Sequence, residues 1–193
     1  KGDWITLDKV ACGFGYRDSL FKQAIGRYII TEVTLRLNLK PRLCLDYGAL
    51  RSEVSQHNAP PYTALNVYDA VCRIRRSKLP DPAVLGNSGS FFKNPVVDAE
   101  HGAALLAEYP DMPHYPQADG RLKLAAGWLI EHCGWKGAKR GAAGVYPKQA
   151  LVLVNLGGAT GAEVLALAHD ITHSVQERFH ISLEREVQIV SVI

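Results

Sequence analysis

No apolar run in this 193-residue sequence approaches the ~18–20 residues that a helix needs to cross a bilayer. No secretory signal pattern is visible either, so the expectation is a cytoplasmic protein that does not engage a membrane. Cysteine is sparse and scattered: Cys12, Cys44, Cys72 and Cys133 form no CxxC pair. That spacing suits free thiols in a reducing compartment better than a disulfide framework. The only methionine is Met112, and the sequence opens on KGDWITL and stops inside a strand-like IVSVI. It is therefore expected to be a piece of a larger protein. Charge of one sign is also lacking. Lys and Arg number 22 against 19 Asp and Glu, a net +3, well short of a nucleic-acid-binding signature and equally suited to an anionic small molecule. What remains is 47% hydrophobic and 21% charged, ordinary for a globular domain.

Periodicity supplies the elements. YIITEVTLRL (28–37) alternates, with Ile29, Val33, Leu35 and Leu37 in one phase, the pattern of a strand with one buried face. An irregular stretch follows at 52–63, broken by Pro60–Pro61. NVYDAVCRIRR (66–76) spaces Val67, Val71 and Ile74 as a short amphipathic helix, and the prolines of KLPDPAVLG (78–86) end it. Asp98 can N-cap a helix through AEHGAALLAEY. YPQADG (115–120) reads as a turn, LKLAAGWLIEHCG (122–134) as a helix stopped by Gly134, and ALVLVNL (150–156) as a buried strand. Thr160 and Glu163 form a capping box ahead of a helix with Val164, Ala168, Ile171 and Val175 on one face. FHISLEREVQI (179–189) returns to strand alternation. The order implies an α+β fold with an insert between Pro80 and about Arg185.

Several features could carry chemistry, each beside a plainer reading. HDITH (169–173) has two histidines at i, i+4, a spacing a metal could use, but they lie opposite the apolar stripe and lack a third ligand. RIRRSK (73–78) could bind phosphate, or could simply complete a helix C-terminus. GFGYRD (13–18) lacks the GxGxxG spacing of a dinucleotide site. Glu186 sits on a polar strand face. GNSGSFFKNP (86–95) mixes a flexible turn with two phenylalanines, a lysine, an asparagine and a proline, which suggests a loop that closes on something. Ser90, within it, has no GxSxG elbow and no adjacent base, so it is turn chemistry or a hydroxyl serving a bound group.

FGYRDSLFK (14–22), DYG (46–48), KLPDP (78–82), GNSGSFFKNP, YPQADG, KLAAGWLIE (123–131), QALVLVN (149–155) and LEREV (183–187) together resemble, in order and spacing, the UDP-N-acetylenolpyruvoylglucosamine reductases (UDP-N-acetylmuramate dehydrogenases). The DYG tyrosine and the long middle region are similar to the longer-form subfamily. The resemblance implies an FAD-containing, NADPH-dependent enzyme of bacterial peptidoglycan synthesis. It implies the C-terminal portion of an FAD-binding domain of the vanillyl-alcohol-oxidase type at 1–79, an inserted α+β substrate domain at 80–187, and a return strand at 188–193.

It also implies roles. Hydride from the reduced flavin reaches the enolpyruvyl alkene of UDP-N-acetylglucosamine enolpyruvate, and charge builds toward the substrate carboxylate. Ser90 would donate the proton, a task for which positioning matters more than acidity. Arg17 would offer its planar fork to the carboxylate. Glu186 would stabilise the developing enediolate as a hydrogen-bond donor, hence protonated in the transition state. Tyr47, Lys78, Asn94, Tyr115 and Lys136 would surround the UDP portion, with Gln149 near the uracil, and Arg75 and Gly89 would contact the flavin. Gln188 departs from the family pattern, which has an arginine there. No metal is implied, and a monomer is expected. Two other readings remain, a non-catalytic nucleotide-sugar-binding module and a basic nucleic-acid-binding fragment. Neither needs a proton donor beside a carboxylate clamp.

Overall fold

A computed structural model describes residues 2–190. The chain divides between Arg42 and Leu43 into two compact units.

The first unit contains one short helix, α1 (Leu20–Gln23). Its organising feature is a turn in which the amides of Gly15 and Asp18 bond each other's carbonyls at 3.0 and 3.4 Å, while the Leu20 amide reaches the Cys12 carbonyl at 2.9 Å. The strand expected over 28–37 is not formed. Ile29 is 91% exposed and Leu37 80%. Alternation gives a segment an apolar face, but a strand also needs a neighbouring edge for its N–H and C=O groups. None of the described residues pairs with this one.

The second unit opens with two helices, α2 (Leu50–His57) and α3 (Ala64–Lys78). They close a small core of Leu45, Leu50, Val54 and Ala70. The sequence pattern missed α2, because Leu50 and Val54 are the only buried residues in its eight. Helix α3 is longer than its apolar spacing suggested. A capping box starts it two residues early, with Thr63 Oγ1 accepting from the Asn66 amide at 3.2 Å and Asn66 Oδ1 from the Thr63 amide at 2.8 Å.

Beyond Pro80 a second and larger core begins, built around Phe92, Leu124, Leu129, Leu167, Ile171 and Phe179. Its framework is β1 (Gly86–Ser90), β2 (Val96–Val97), α4 (Ala99–Glu108), β3 (His114–Pro116), β4 (Leu122–Leu124), α5 (Ala126–His132), β5 (Lys139–Arg140), β6 (Ala143–Val145), β7 (Val152–Asn155) and α6 (Gly161–Phe179). The strands form two antiparallel sheets, β1-β7-β6-β5 and β2-β4-β3. Helix α6 packs on β6 and β7 and against α5. The fold is α+β. The compact units and the two cores thus divide the chain at different places.

The expected caps are present. Asp98 Oδ1 accepts from the His101 amide at 2.8 Å. Thr160 Oγ1 accepts from the Glu163 amide at 3.2 Å, and the Glu163 carboxylate accepts from the Thr160 amide at 2.8 Å. The stripe of α6 buries Ala168, Ile171 and Val175 as its spacing requires. Three segments differ from the sequence pattern. GNSGS is a strand, because β7 supplies an edge of fully buried Val152, Leu153 and Val154. The helix expected from residue 122 begins at Ala126, its first three residues serving as β4 between β2 and β3. Residues 179–189 keep the burial alternation at Ile181 and Leu183, yet make only an isolated bridge, Phe92 opposite Arg185. Of the expected return strand 188–193, residues 188–190 are not in a strand and 191–193 lie outside the described residues.

Candidate functional site

Ser90 ends β1, opposite Val152 of β7. The register shifts between Asn87 and Ser90, so an extra residue bulges from the strand. A bulge turns the chain and re-aims the side chain that follows. Gly89 takes φ +71° there, and a Cβ built on it would meet nothing within 4 Å. Only glycine holds that conformation without strain, and its open side admits a flat group close to the backbone. Asn87 secures the bulge, its Oδ1 accepting from the Gly89 amide at 3.0 Å and its Nδ2 donating to the Leu85 carbonyl at 2.8 Å.

The chain then places residue after residue by hydrogen bonding. The Phe91 amide donates to the Leu151 carbonyl at 2.8 Å, the Lys93 amide to the Glu184 carbonyl at 2.8 Å, and the Glu186 amide to the Phe91 carbonyl at 2.9 Å. Glu186 is thereby held one residue from exposed Ser90, although 96 positions separate them in sequence. Phe91 and Phe92 explain the aromatic pair of the motif. Both are buried and pack edge-to-face, anchoring the polar residues on either side.

Asn94 is committed through its oxygen. Asn94 Oδ1 accepts from the Ala126 amide at 3.0 Å and so satisfies an N-terminal donor of α5 that would otherwise lack an acceptor. Gln149 is the next neighbour. Its Oε1 accepts from the Leu151 amide at 3.3 Å and lies 3.0 Å from where a Cβ on Gly127 would stand. Ser90, Asn94, Gln149 and Glu186 therefore stand on neighbouring stretches of backbone, around β1, the start of β7, α5 and the 184–186 segment. Tyr115 is opposite Lys123 in the adjoining sheet, with Lys123 Nζ 5.5 Å from its ring centre, a cation–π distance.

The other site residues stand on separate elements. Lys136 follows α5 and donates to Glu131 Oε1 at 2.7 Å. Arg75 and Lys78 occupy the last turn of α3, and Tyr47 is 82% exposed before α2. Arg17 belongs to the first unit at φ +54°, its carbonyl accepting from Lys22 Nζ at 2.9 Å. His169 and His173 are exposed on α6, and the described residues hold no group of three or more potential metal ligands. An open cavity of about 430 Å³ lies behind β1, walled by Gly86, Asn87, Phe91, Val154, Val164 and Gln188 among others. Gln188 brings a neutral carboxamide to that wall.

Sequence reasoning missed the ion pair between Lys93 and Glu184. Its only sequence signal is that Glu184 shares the polar phase of Glu186. It also missed the structural task of Asn94, which nothing local announces.

Residues 81–190 match the model of the UDP-N-acetylenolpyruvoylglucosamine reductase C-terminal domain. Among proteins named UDP-N-acetylenolpyruvoylglucosamine reductase, that of Pseudomonas aeruginosa is 58% identical over 93% of this chain and 53% of its own length. That of Chromobacterium violaceum is 52% identical over 98% of this chain and 56% of its own. That of Burkholderia pseudomallei is 54% identical over 96% and 54%. A crystal structure of the Thermus caldophilus reductase aligns at 27% identity with a TM-score of 0.41, covering 64% of this chain and 33% of that one. The fold defines an α+β domain with a bulged strand that ends at Ser90 beside the 184–186 segment. The chain belongs to the UDP-N-acetylenolpyruvoylglucosamine reductase family, and it spans about half the length of the curated relatives it matches.

Proposed function

We propose that the full-length protein is a cytoplasmic, monomeric flavoenzyme. It reduces the enolpyruvyl group of UDP-N-acetylglucosamine enolpyruvate to give UDP-N-acetylmuramate for peptidoglycan synthesis. The observation that carries this reading is the short bridge holding Glu186 beside Phe91, next to Ser90. The bridge brings the backbone of a carboxyl-bearing residue to within one position of a hydroxyl-bearing one, and these two groups suit a substrate whose carbon must be protonated next to a carboxylate.

In this reading 80–187 form the substrate domain, and residues before and after it belong to an FAD domain of the vanillyl-alcohol-oxidase type. The open, left-handed Gly89 fits a flat ring at close range, and exposed Arg75 supplies a cation for the same group. Bound FAD supplies hydride transfer from NADPH to the substrate alkene. This chain's residues do the rest. Ser90 Oγ–H delivers a proton to the carbon beside the carboxylate. Arg17 holds that carboxylate through two parallel N–H bonds, and protonated Glu186 donates to it as negative charge builds. Lys78 and Lys136 face the diphosphate as compact cations, with Tyr47, Asn94 and Tyr115 around them and Gln149 at the uracil. Lys136 exchanges Glu131 for phosphate on binding. Asn94 keeps its oxygen on α5 and offers its NH₂ to the ligand.

The test is NADPH oxidation by the full-length protein with and without UDP-N-acetylglucosamine enolpyruvate. Turnover dependent on the enolpyruvyl sugar supports the reading. Tight UDP-sugar binding without turnover would instead make the protein a nucleotide-sugar-binding module.

A further inference from the structure

The segment carrying Glu186 has no regular structure of its own. Between the end of α6 and residue 190, the described residues form neither helix nor sheet strand. Ile181 and Leu183 bury their side chains, which fixes depth but not register beyond Leu183. Register at Glu186 comes from two backbone bonds, Lys93 amide to Glu184 carbonyl and Glu186 amide to Phe91 carbonyl, with partly buried Val187 packed against the core beyond them. A two-bond ladder is short, so a side-chain pair across it adds a sizeable share of the register.

The Lys93–Glu184 side-chain pair spans the same rung. Lys93 Nζ donates to Glu184 Oε1, with the lysine side chain 22% exposed and the glutamate 72%. The backbone of Lys93 lies between buried Phe92 and Asn94, whose Oδ1 is tied to α5. Lys93 is thus the more buried member of the pair and Glu184 the more exposed one. Cross-strand charge pairs of this sort favour one register over its neighbours.

We infer that the Lys93–Glu184 ion pair is a clamp that fixes the register of Glu186 against Ser90, making both members positioning residues for stabilisation of the developing charge. The inference rests on the proposed reductase reading. Neither side chain needs to touch the substrate. The clamp acts by keeping the Glu186 carboxyl where charge develops, which geometry-dependent catalysis demands. It also accounts for the otherwise unexplained lysine in GNSGSFFKNP, where an uncharged residue would serve a plain turn as well.

The experiment uses the FAD-loaded full-length enzyme and three readouts. In Glu184→Gln, flavin reduction by NADPH keeps its rate, while flavin reoxidation by UDP-N-acetylglucosamine enolpyruvate slows roughly fivefold, the scale of one partly exposed ion pair. The reversed pair, Lys93→Glu with Glu184→Lys, recovers most of that loss. In a Glu186→Gln background, Glu184→Gln adds no further slowing, because both changes act through one carboxyl group. Amide exchange at Lys93 and Glu186 accelerates in Glu184→Gln irrespective of turnover. Equal slowing of both half-reactions, an undiminished effect in the Glu186→Gln background, or no recovery by the reversed pair overturns the clamp alone. A wild-type enzyme inert toward the enolpyruvyl sugar overturns the functional reading and the clamp with it.

Discussion

Residues 28–37 and 179–189 carry the same period-two alternation, and they meet different fates. In the first, Ile29 and Leu37 stand 91% and 80% exposed and no strand forms. In the second, Ile181 and Leu183 are 3% and 6% exposed, and residues 184–186 bond to 91–93. The difference lies in the partner. The second segment follows α6, whose buried stripe delivers it to the edge left by Phe91–Lys93. The first has no edge among the described residues. Alternation therefore specifies a face and leaves the neighbour unspecified.

The contrast between packed and unpartnered segments can be broken by truncation. Ile171→Ala, on the fully buried stripe of α6, should destabilise this chain by about 2–5 kcal/mol in urea unfolding, through lost burial and the cavity left behind. Val33→Ala, 71% exposed, should stay within about 0.5 kcal/mol of wild type. Equal losses at the two positions would contradict the difference in packing.

Binding sharpens the comparison within the second unit. Lys136→Ala in the full-length protein should weaken UDP-sugar affinity by about 1.5–3 kcal/mol, read by calorimetry, if its charge-assisted bond is desolvated. An unchanged dissociation constant with the fold intact would confine Lys136 to its ion pair with Glu131.

Smaller effects belong to the start of α6, the element that delivers the second segment. Thr160→Ala should cost about 1 kcal/mol, the usual value of an N-cap hydroxyl. The acid limb of stability should report the same box. Hydrogen bonds from the Thr160 amide and hydroxyl hold the Glu163 carboxyl below its ordinary range. A lowered folded-state value contributes stability above the ordinary glutamate range, and that contribution is lost as pH falls through the folded value. Melting curves of wild type and Glu163→Gln should therefore converge in acid and separate toward neutral pH. A gap independent of pH would remove the carboxylate from the cap.

Much of this fold is legible in the sequence where a single local rule decides. Asp98, Thr160 and Glu163 announce their caps. The spacing of Ala168, Ile171 and Val175 announces a buried helix face, and YPQADG announces the turn that Gly120 closes at φ +82°. Legibility fails where a distant neighbour decides. GNSGS has no strand-forming residue and becomes β1 because β7 lies beside it. LKL looks like the first turn of a helix and becomes β4 because β2 and β3 flank it and Asn94 fixes where α5 begins. Helix α2 has too few apolar residues to show a period. The candidate site divides the same way. Ser90 and Glu186 look like a turn serine and a solvated carboxylate when read singly. The roles proposed for them come from resemblance to a family, and the nearness of their backbones comes from a bridge between segments far apart in the chain. The Lys93–Glu184 pair has no local signature.

The most direct test of the account is stopped-flow measurement of the two half-reactions in full-length Ser90→Ala. Flavin reduction by NADPH involves no substrate protonation and should keep its rate. Reoxidation by the enolpyruvyl sugar should slow by ~10²–10⁴-fold, the range for a lost general acid, and Ser90→Cys should retain more activity than Ser90→Ala because a thiol still carries a proton to the same place. Equal slowing of both half-reactions in Ser90→Ala would contradict the account and leave Ser90 as the last residue of a bulged strand.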